Sequence, residues 1–424
     1  MRIYFWIAIL SLAVRGAAQT SPGTPTTILD FGVTTVALPE TGVVIGSDGV
    51  LYGTASFPPG YAVYSLTPPT QPGGSWTYST LYQTQGTERS QTLTSSPGLA
   101  IDSNGVLYGA TTELWTPPAQ AKRVAGIFSL TPPASTGGAW TETTLYTFTG
   151  GTDGTGPQAG VTIGKGRVLY GTAFGGGGHG SVFSLTPPAS PGGTWTFATL
   201  HSFAGGADGA EPSGPLTIDS QGVLYGTTSY GGGSNYGSVF TLTPPSSPGG
   251  EWTEAVIYGF TSGDDGAHPA GGVLIGTGPA WQTVLYGAGG ANLDGASHDG
   301  VLYSLTPPSE SGGSWTQTVL YAFPSEYQFS PGPLVWGSGG VLYGSTFAGG
   351  DDRCGSVYAL VPPASSGSPW TFRGVYSFAC GFDTAIGNLP YLGEILAVGG
   401  DGLIYGTTME GGTANSGTTF TLRR

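Results

Sequence analysis

The chain has 424 residues, of which 78 are glycine, 12% are aromatic and only 8% carry a charge, with a formal net charge of −14. So few charges beside so many aromatics exclude a disordered chain, which would be charge-rich and aromatic-poor. The acidic balance, with no basic cluster, opposes phosphate backbones and anionic lipid, so nucleic acid is not an expected partner.

The first residues, MRIYFWIAILSLAVRGAAQT, carry a basic start at Arg2, an apolar run from Ile3 to Val14, and small residues at Gly16, Ala17 and Ala18. This pattern predicts a secretory signal peptide over residues 1–18, cut after Ala18. An apolar run of about 12 residues is too short to span a bilayer. The alternative is a buried N-terminal strand. No later segment is long and apolar enough to insert into a membrane, so the mature chain, 19–424, is expected to be secreted, as an extracellular or envelope-associated protein. The chain stops at the final strand, TFTLRR, so no anchoring tail is expected.

The next element, TTILDF (26–31), stands alone, and a repeat begins after it. A Leu/Ile-Tyr-Gly triplet recurs with its tyrosine at Tyr52, Tyr108, Tyr170, Tyr225, Tyr286, Tyr343 and Tyr405, a period of about 59 residues. Each triplet is followed by an aromatic-x-Leu strand such as FTLTPP from 240. Six of these lead into a tryptophan strand, at Trp76, Trp140, Trp195, Trp252, Trp315 and Trp370.

One copy reads as four strands. Strand a is a short apolar stretch such as PLTID (215–219), joined by a Gly-containing turn to strand b, VLYGTT (223–228). Such turn chemistry fits an antiparallel hairpin. A glycine-rich loop leads to strand c, SVFTLTP (238–244), which the diproline ends because proline cannot continue a ladder. Strand d follows, EWTEAVIYGF (251–260).

The last copy has a, b and c but stops at Arg424, and TTILDF resembles a strand d without its tryptophan. The N-terminal strand can therefore complete the last sheet and close a ring. This 1+3 arrangement predicts an all-β fold, a seven-bladed β-propeller of four-stranded antiparallel blades, with no long edge exposed. The repeated Tyr, Phe and Trp then read as inter-blade core.

Cys354 lies just before strand c and Cys380 just after strand d of blade six. Opposed positions in a hairpin have a constant index sum, and these two nearly satisfy it. A structural disulfide is expected, in keeping with an oxidising compartment; separate thiols are the alternative.

The wording GxLYGTT-x-GG-x-G-x-VFxLTP, preceded by GGxDGAxP, resembles the tandem repeat called GloVer, found in secreted bacterial choice-of-anchor proteins. The likeness extends over nearly the whole mature chain, with copies three and four the closest. It implies secretion and a repeat architecture, and no particular activity.

Sites are sought on the face that gathers the d–a and b–c loops, since binding residues sit on loops held by a rigid scaffold. Asp153, Asp208 and Asp265 recur in one DG context and read as turn formers. A non-repeated set remains around blade five: Asp264, His268, Asn292, Asp294, His298 and Asp299. Its oxygens suit calcium and its histidines zinc, although no standard metal motif is present; a solvated acidic rim is the alternative. Trp115, Tyr230, Tyr236, Tyr327 and Tyr391 break the repeat on the same face, where they offer flat surfaces for stacking sugar rings or pack loops onto the rim. Glu394 is a lone acid expected near the channel mouth, and His201, in place of a strand-d tyrosine, is expected in the core. The c–d turns occupy the place of the sialidase Asp-box, but each copy lacks its aspartate.

These features point to a secreted, monomeric, non-catalytic propeller acting as a recognition or structural module. Its partner would be a glycan, a surface polymer or an extracellular protein. The alternative is an extracellular carbohydrate-active enzyme using rim carboxylates, with calcium as its one candidate cofactor.

Overall fold

A computed structural model describes residues 12–14 and 24–423, apart from 34–38, 40, 58–59, 72, 84–90, 94–97, 114–124, 136, 176–177, 191, 248, 270, 278–282, 291–297, 311, 325–330, 348, 366, 381–387 and 391–395. The chain forms seven antiparallel sheets, in each of which the strand order from the inside outward is a, b, c, d. In blade four these are Thr217–Ile218, Leu224–Tyr230, Ser238–Thr243 and Thr253–Gly259. The ring closes as expected. Thr26–Asp30 pairs with Thr418–Leu422 and supplies the outer strand of blade seven.

The inner strand is more elaborate than one short stretch. In blade four Ala210–Pro212 pairs with the upper part of strand b, and Thr217–Ile218 with its lower part. Blades two, three and seven repeat this split. The proline of the GGxDGAxP wording thus lies in the upper segment: Pro157 faces Ala173, Pro212 faces Thr228 and Pro390 faces Thr408. An innermost strand has a neighbour on one side only, so a residue without an N–H costs no ladder bond there.

The triplet glycine has an equally local cause. Gly226 is paired with Phe240 across strands b and c, and the ring lies over the glycine. The same pairing recurs at Gly53 and Tyr64, Gly109 and Phe128, Gly171 and Phe183, Gly287 and Tyr303, Gly344 and Tyr358, and Gly406 and Phe420. A methyl at any of the seven would fall within 2.6 Å of a ring atom. The triplet tyrosine points the other way, into the seam with the following blade. Tyr52, Tyr108, Tyr170, Tyr286 and Tyr405 meet Trp140, Trp195, Trp252, Trp370 and Trp76 edge to face at 5.6–6.2 Å.

The described core divides into seven apolar clusters, one for each seam. Polar ties cross seams as well. Thr162 and Thr217 donate to the carbonyls of Leu216 and Val273, and at the closure Thr407 Oγ1 donates to Thr41 O at 3.2 Å.

Cys354 and Cys380 are joined, with their Cα atoms 5.3 Å apart. Leu12–Val14, inside the expected signal peptide, lies antiparallel to Trp76–Tyr78 at the outer edge of blade one. Blade one has its four strands without it, so cleavage after Ala18 would leave the ring whole. Among the described residues no helix is long and apolar enough to cross a membrane.

Candidate binding face

The ring encloses a cavity of about 270 Å³, lined by inner-strand residues such as Val44, Leu99, Thr162, Leu216 and Leu274. None of its described lining residues titrates. Glu394, expected near its mouth, lies outside the described residues.

The repeated aspartates of the d–a loops work as loop clasps. Asp153 accepts the hydroxyl of Tyr146 at 2.8 Å, the N–H and hydroxyl of Thr149 at 2.7 and 2.6 Å, and the N–H of Gly151 at 3.1 Å. Asp265 repeats the set with Tyr258, Thr261 and Gly263. Burial alone would raise the Asp153 carboxyl, but these donors outweigh it and hold its pKa below the usual value. Both readings of these residues as turn formers are thereby accounted for. The third loop differs: Asp208 accepts from Ala204 N at 2.6 Å and meets His201 Nε2 at 3.1 Å. His201 is therefore not a core residue; its side chain keeps 22% of its surface and takes the tyrosine's place at the clasp.

Of the five aromatics singled out in the sequence, Trp115, Tyr327 and Tyr391 lie outside the described residues. Tyr230 and Tyr236 are brought together, with His268 between them. Tyr230 ends strand b of blade four. Gly231, Gly232 and Gly233 then take left-handed conformations (φ 78°, 76° and 87°) that turn the chain over the top of the blade. Asn235 Oδ1 accepts Gly231 N at 3.1 Å, and Gly237 N bonds back to Gly231 O at 3.1 Å. His268 enters from the loop leading to blade five. Its N–H donates to Tyr236 O at 2.7 Å, and its Nδ1 donates to Ser229 O at 2.7 Å. A carbonyl can only accept, so the proton of the neutral ring sits on Nδ1 and Nε2 is left as an acceptor. The imidazole meets the ring of Tyr230 at 5.1 Å and that of Tyr236 at 5.8 Å, both edge to face.

The backbone part of this arrangement belongs to the repeat. Glu211, before Pro212, has the same left-handed φ as His268 before Pro269 (55° and 45°), and its N–H donates to His179 O. The rings are particular to the seam between blades four and five. Tyr230 is 41% exposed, and Phe174, at the upper end of strand b of blade three, is 43% exposed. Phe174 was not singled out in the sequence. It is an aromatic where Ser229 and Thr112 stand in two other copies and Phe347 in blade six.

The residues expected to hold calcium or zinc are placed less closely. Asp264 is exposed on the d–a loop beside Asp265, and His268 is committed to the aromatic group. Asn292 and Asp294 lie outside the described residues. His298 and Asp299 begin strand c of blade five, His298–Thr306, rather than standing in its b–c loop. Among the described residues, the one group of three His and carboxylate donors within reach of each other is His201, Asp208 and Glu254.

Glu254 is on strand d of blade four, opposite Leu242. Its Oε1 is buried with no hydrogen-bond partner. Burial first, and the charge of Asp208 second, push its pKa up to about 7.

Among solved structures the chain is similar to a protein of Lactobacillus plantarum, with 15% identity, a TM-score of 0.54 and coverage of 85% of this chain and 88% of that one. It also matches the GH93 alpha-L-arabinofuranosidase of Fusarium graminearum in complex with arabinobiose, at 12% identity, a TM-score of 0.42 and coverage of 94% and 97%. Polysaccharide lyase Uly1 matches at 12% identity, a TM-score of 0.49 and coverage of 92% and 98%. Identities this low speak to the fold alone. A search of curated proteins returns no match. Residues 39–293, running from blade one into blade five, match the Gloeobacter/Verrucomicrobia repeat, and the chain belongs to that repeat family.

Proposed function

We propose that the protein is a secreted recognition module that binds a glycan or surface polymer on its loop-rich face, through Tyr230, Tyr236 and His268 with Phe174 on the neighbouring blade. The observation that carries this reading is Tyr230: a large ring, 41% exposed, braced by an imidazole that is itself fixed at two points. A braced ring loses little freedom when a sugar stacks on it, so more of the contact energy appears as affinity. The fixed acceptor at His268 Nε2 suits a sugar hydroxyl.

Two further observations favour binding over hydrolysis. The repeated rim carboxylates, Asp153 and Asp265, are each occupied by four donors. The described lining of the central cavity holds no acid or base. Secretion fits the disulfide and the N-terminal leader pattern. The protein acts as a monomer, because the N-terminal strand completes blade seven within one chain and ring closure needs no second copy.

The test is a polysaccharide array probed with residues 19–424, with calcium and with EDTA. Wild type should bind in both conditions, and Tyr230→Ala should weaken binding roughly tenfold, the worth of one aromatic contact. An array silent in both conditions, or full binding by Tyr230→Ala, would overturn the proposal. Binding lost only in EDTA would move the site to the acidic residues around Asp264.

A further inference from the structure

Five seams join the outer strands of blades one to six, and one position pair can be followed through them; between blades one and two it is Tyr82 and Glu142. Tyr146 of blade two stacks on Phe197 of blade three at 4.3 Å, and Tyr321 of blade five on Phe372 of blade six at 4.0 Å. Tyr258 and Gln317 hold the equivalent places between blades four and five, where the amide of Gln317 donates to Asp265 O at 2.9 Å. At the seam of blades three and four the pair is His201 and Glu254, joined by Asp208 from the loop above.

Where two seams stack aromatics and two pair a tyrosine with Glu142 or Gln317, this seam alone among the five sets an imidazole and two carboxylates together. As a bare hydrogen-bond network the set is poor. His201 is satisfied by Asp208, but Glu254 Oε1 is buried without a partner beside a second anion. An orphaned buried carboxylate oxygen is costly unless something positive meets it.

The geometry points to a site for one divalent transition-metal ion of the zinc class, held by His201 Nε2, a carboxylate oxygen of Asp208 and Oε1 of Glu254. The donor atoms all lie within 4.8 Å of one another, and the His201–Asp208 edge is 3.1 Å. A tetrahedral zinc ion with bonds of about 2.0–2.2 Å needs donor atoms about 3.3 Å apart. One edge is therefore in place, and the Glu254 carboxylate has to swing inward to complete the triangle. The nitrogen donor selects against calcium and magnesium, which prefer all-oxygen sets. The partial exposure of His201 and Asp208 (22% and 23% of their side chains) leaves a path for the ion and room for a water as fourth ligand. The ion would pin blade three to blade four and neutralise the carboxylate pair. It lies on a different seam from the proposed glycan face, and neither inference needs the other.

The experiment uses untagged residues 19–424 stripped with chelator, titrated with Zn²⁺ alone by calorimetry, with metal content checked by elemental analysis. Wild type should take up one ion per chain, and Zn²⁺ at 100 times its Kd should raise Tm by about 3 °C. Glu254→Gln, which keeps the side-chain shape, should weaken binding at least tenfold. The double variant His201→Tyr with Glu254→Phe restores the stack found in the neighbouring seam of blades two and three. It should fold and bind no ion. Failure of stripped wild type to bind Zn²⁺ would overturn the proposal, as would unchanged stoichiometry and affinity in Glu254→Gln.

Discussion

Substituting Gly226 by alanine tests the packing rule behind the triplet repeat. Elsewhere in a strand, glycine to alanine should help, by about 0.5–1 kcal/mol, because glycine loses more backbone freedom on folding. Here the new Cβ would stand 2.5 Å from Phe240 Cζ and 2.8 Å from Leu216 Cδ2. Carbon atoms need about 3.5 Å, so the ring must retreat by about 1 Å. It has nowhere to go: Phe240 is fully buried, and Phe203 meets it edge to face at 5.1 Å. Overpacking of this kind costs about 1–3 kcal/mol, and the net loss after the backbone gain is about 1–2 kcal/mol. Unfolding entropy over roughly 400 residues is about 0.8 kcal/mol per kelvin, so Tm would fall by only 1–3 °C or so. Urea unfolding is the better assay. A cycle with Phe240→Leu should show coupling, with the alanine nearly free of cost once the ring is trimmed. Gly374→Ala is the control, because its Cβ would meet nothing within 4 Å; it should be neutral or stabilising. A Gly226→Ala protein as stable as wild type, or one with no coupling to Phe240, would refute the reasoning.

Asp153, 7% exposed, has its folded pKa lowered, so its ionised form supports the fold above the unfolded value near 3.9 and that support fades as pH falls through the folded pKa. Asp153→Asn should therefore cost about 1–3 kcal/mol at pH 7, with the gap from wild type closing below pH ~4, read from urea curves across pH. Removing the disulfide by Cys354→Ser with Cys380→Ser releases a loop with a sequence separation of 26. The chain-entropy estimate is about 3.5 kcal/mol, a fall in Tm of about 4 °C by scanning calorimetry; an unchanged Tm would mean that the hairpin holds blade six unaided.

The ring was legible because its signals are local and repeated. A triplet, an aromatic strand and a tryptophan strand recur seven, seven and six times, and the unpaired TTILDF supplies the missing outer strand. The disulfide followed from hairpin arithmetic. The structure improves the fit, because each c–d hairpin carries a bulge just before its ring, as between Val357 and Tyr358, and this slides the register toward the cysteines. What stayed hidden depends on neighbours far apart in sequence. His201 looked like a core residue because it takes the place of the tyrosine in an LYxF strand. Its partners are Asp208, in the following loop, and Glu254, on the next blade, at a position that holds Phe197, Phe372, Glu142 and Gln317 in other copies. The split inner strand was missed for the opposite reason: a two- or three-residue segment containing proline carries too little pattern to read as a strand.

Seven similar wedges make a ring whose seams are nearly interchangeable, so departures from the repeat stand out by place as well as by residue. The residues of the two proposed sites lie on consecutive blades: Phe174 on blade three, His201 and Glu254 between three and four, and Tyr230, Tyr236 and His268 between four and five. A seam pair of His and Glu forgoes an aromatic stack that two other seams possess, and a large ring left 41% in water buries less than the same ring packed down. Both substitutions work against the fold at positions where the repeat already has a better solution. Binding energy gained from outside the chain is what would offset them, which is why the arc from blade three to blade five is where a ligand and an ion should be sought.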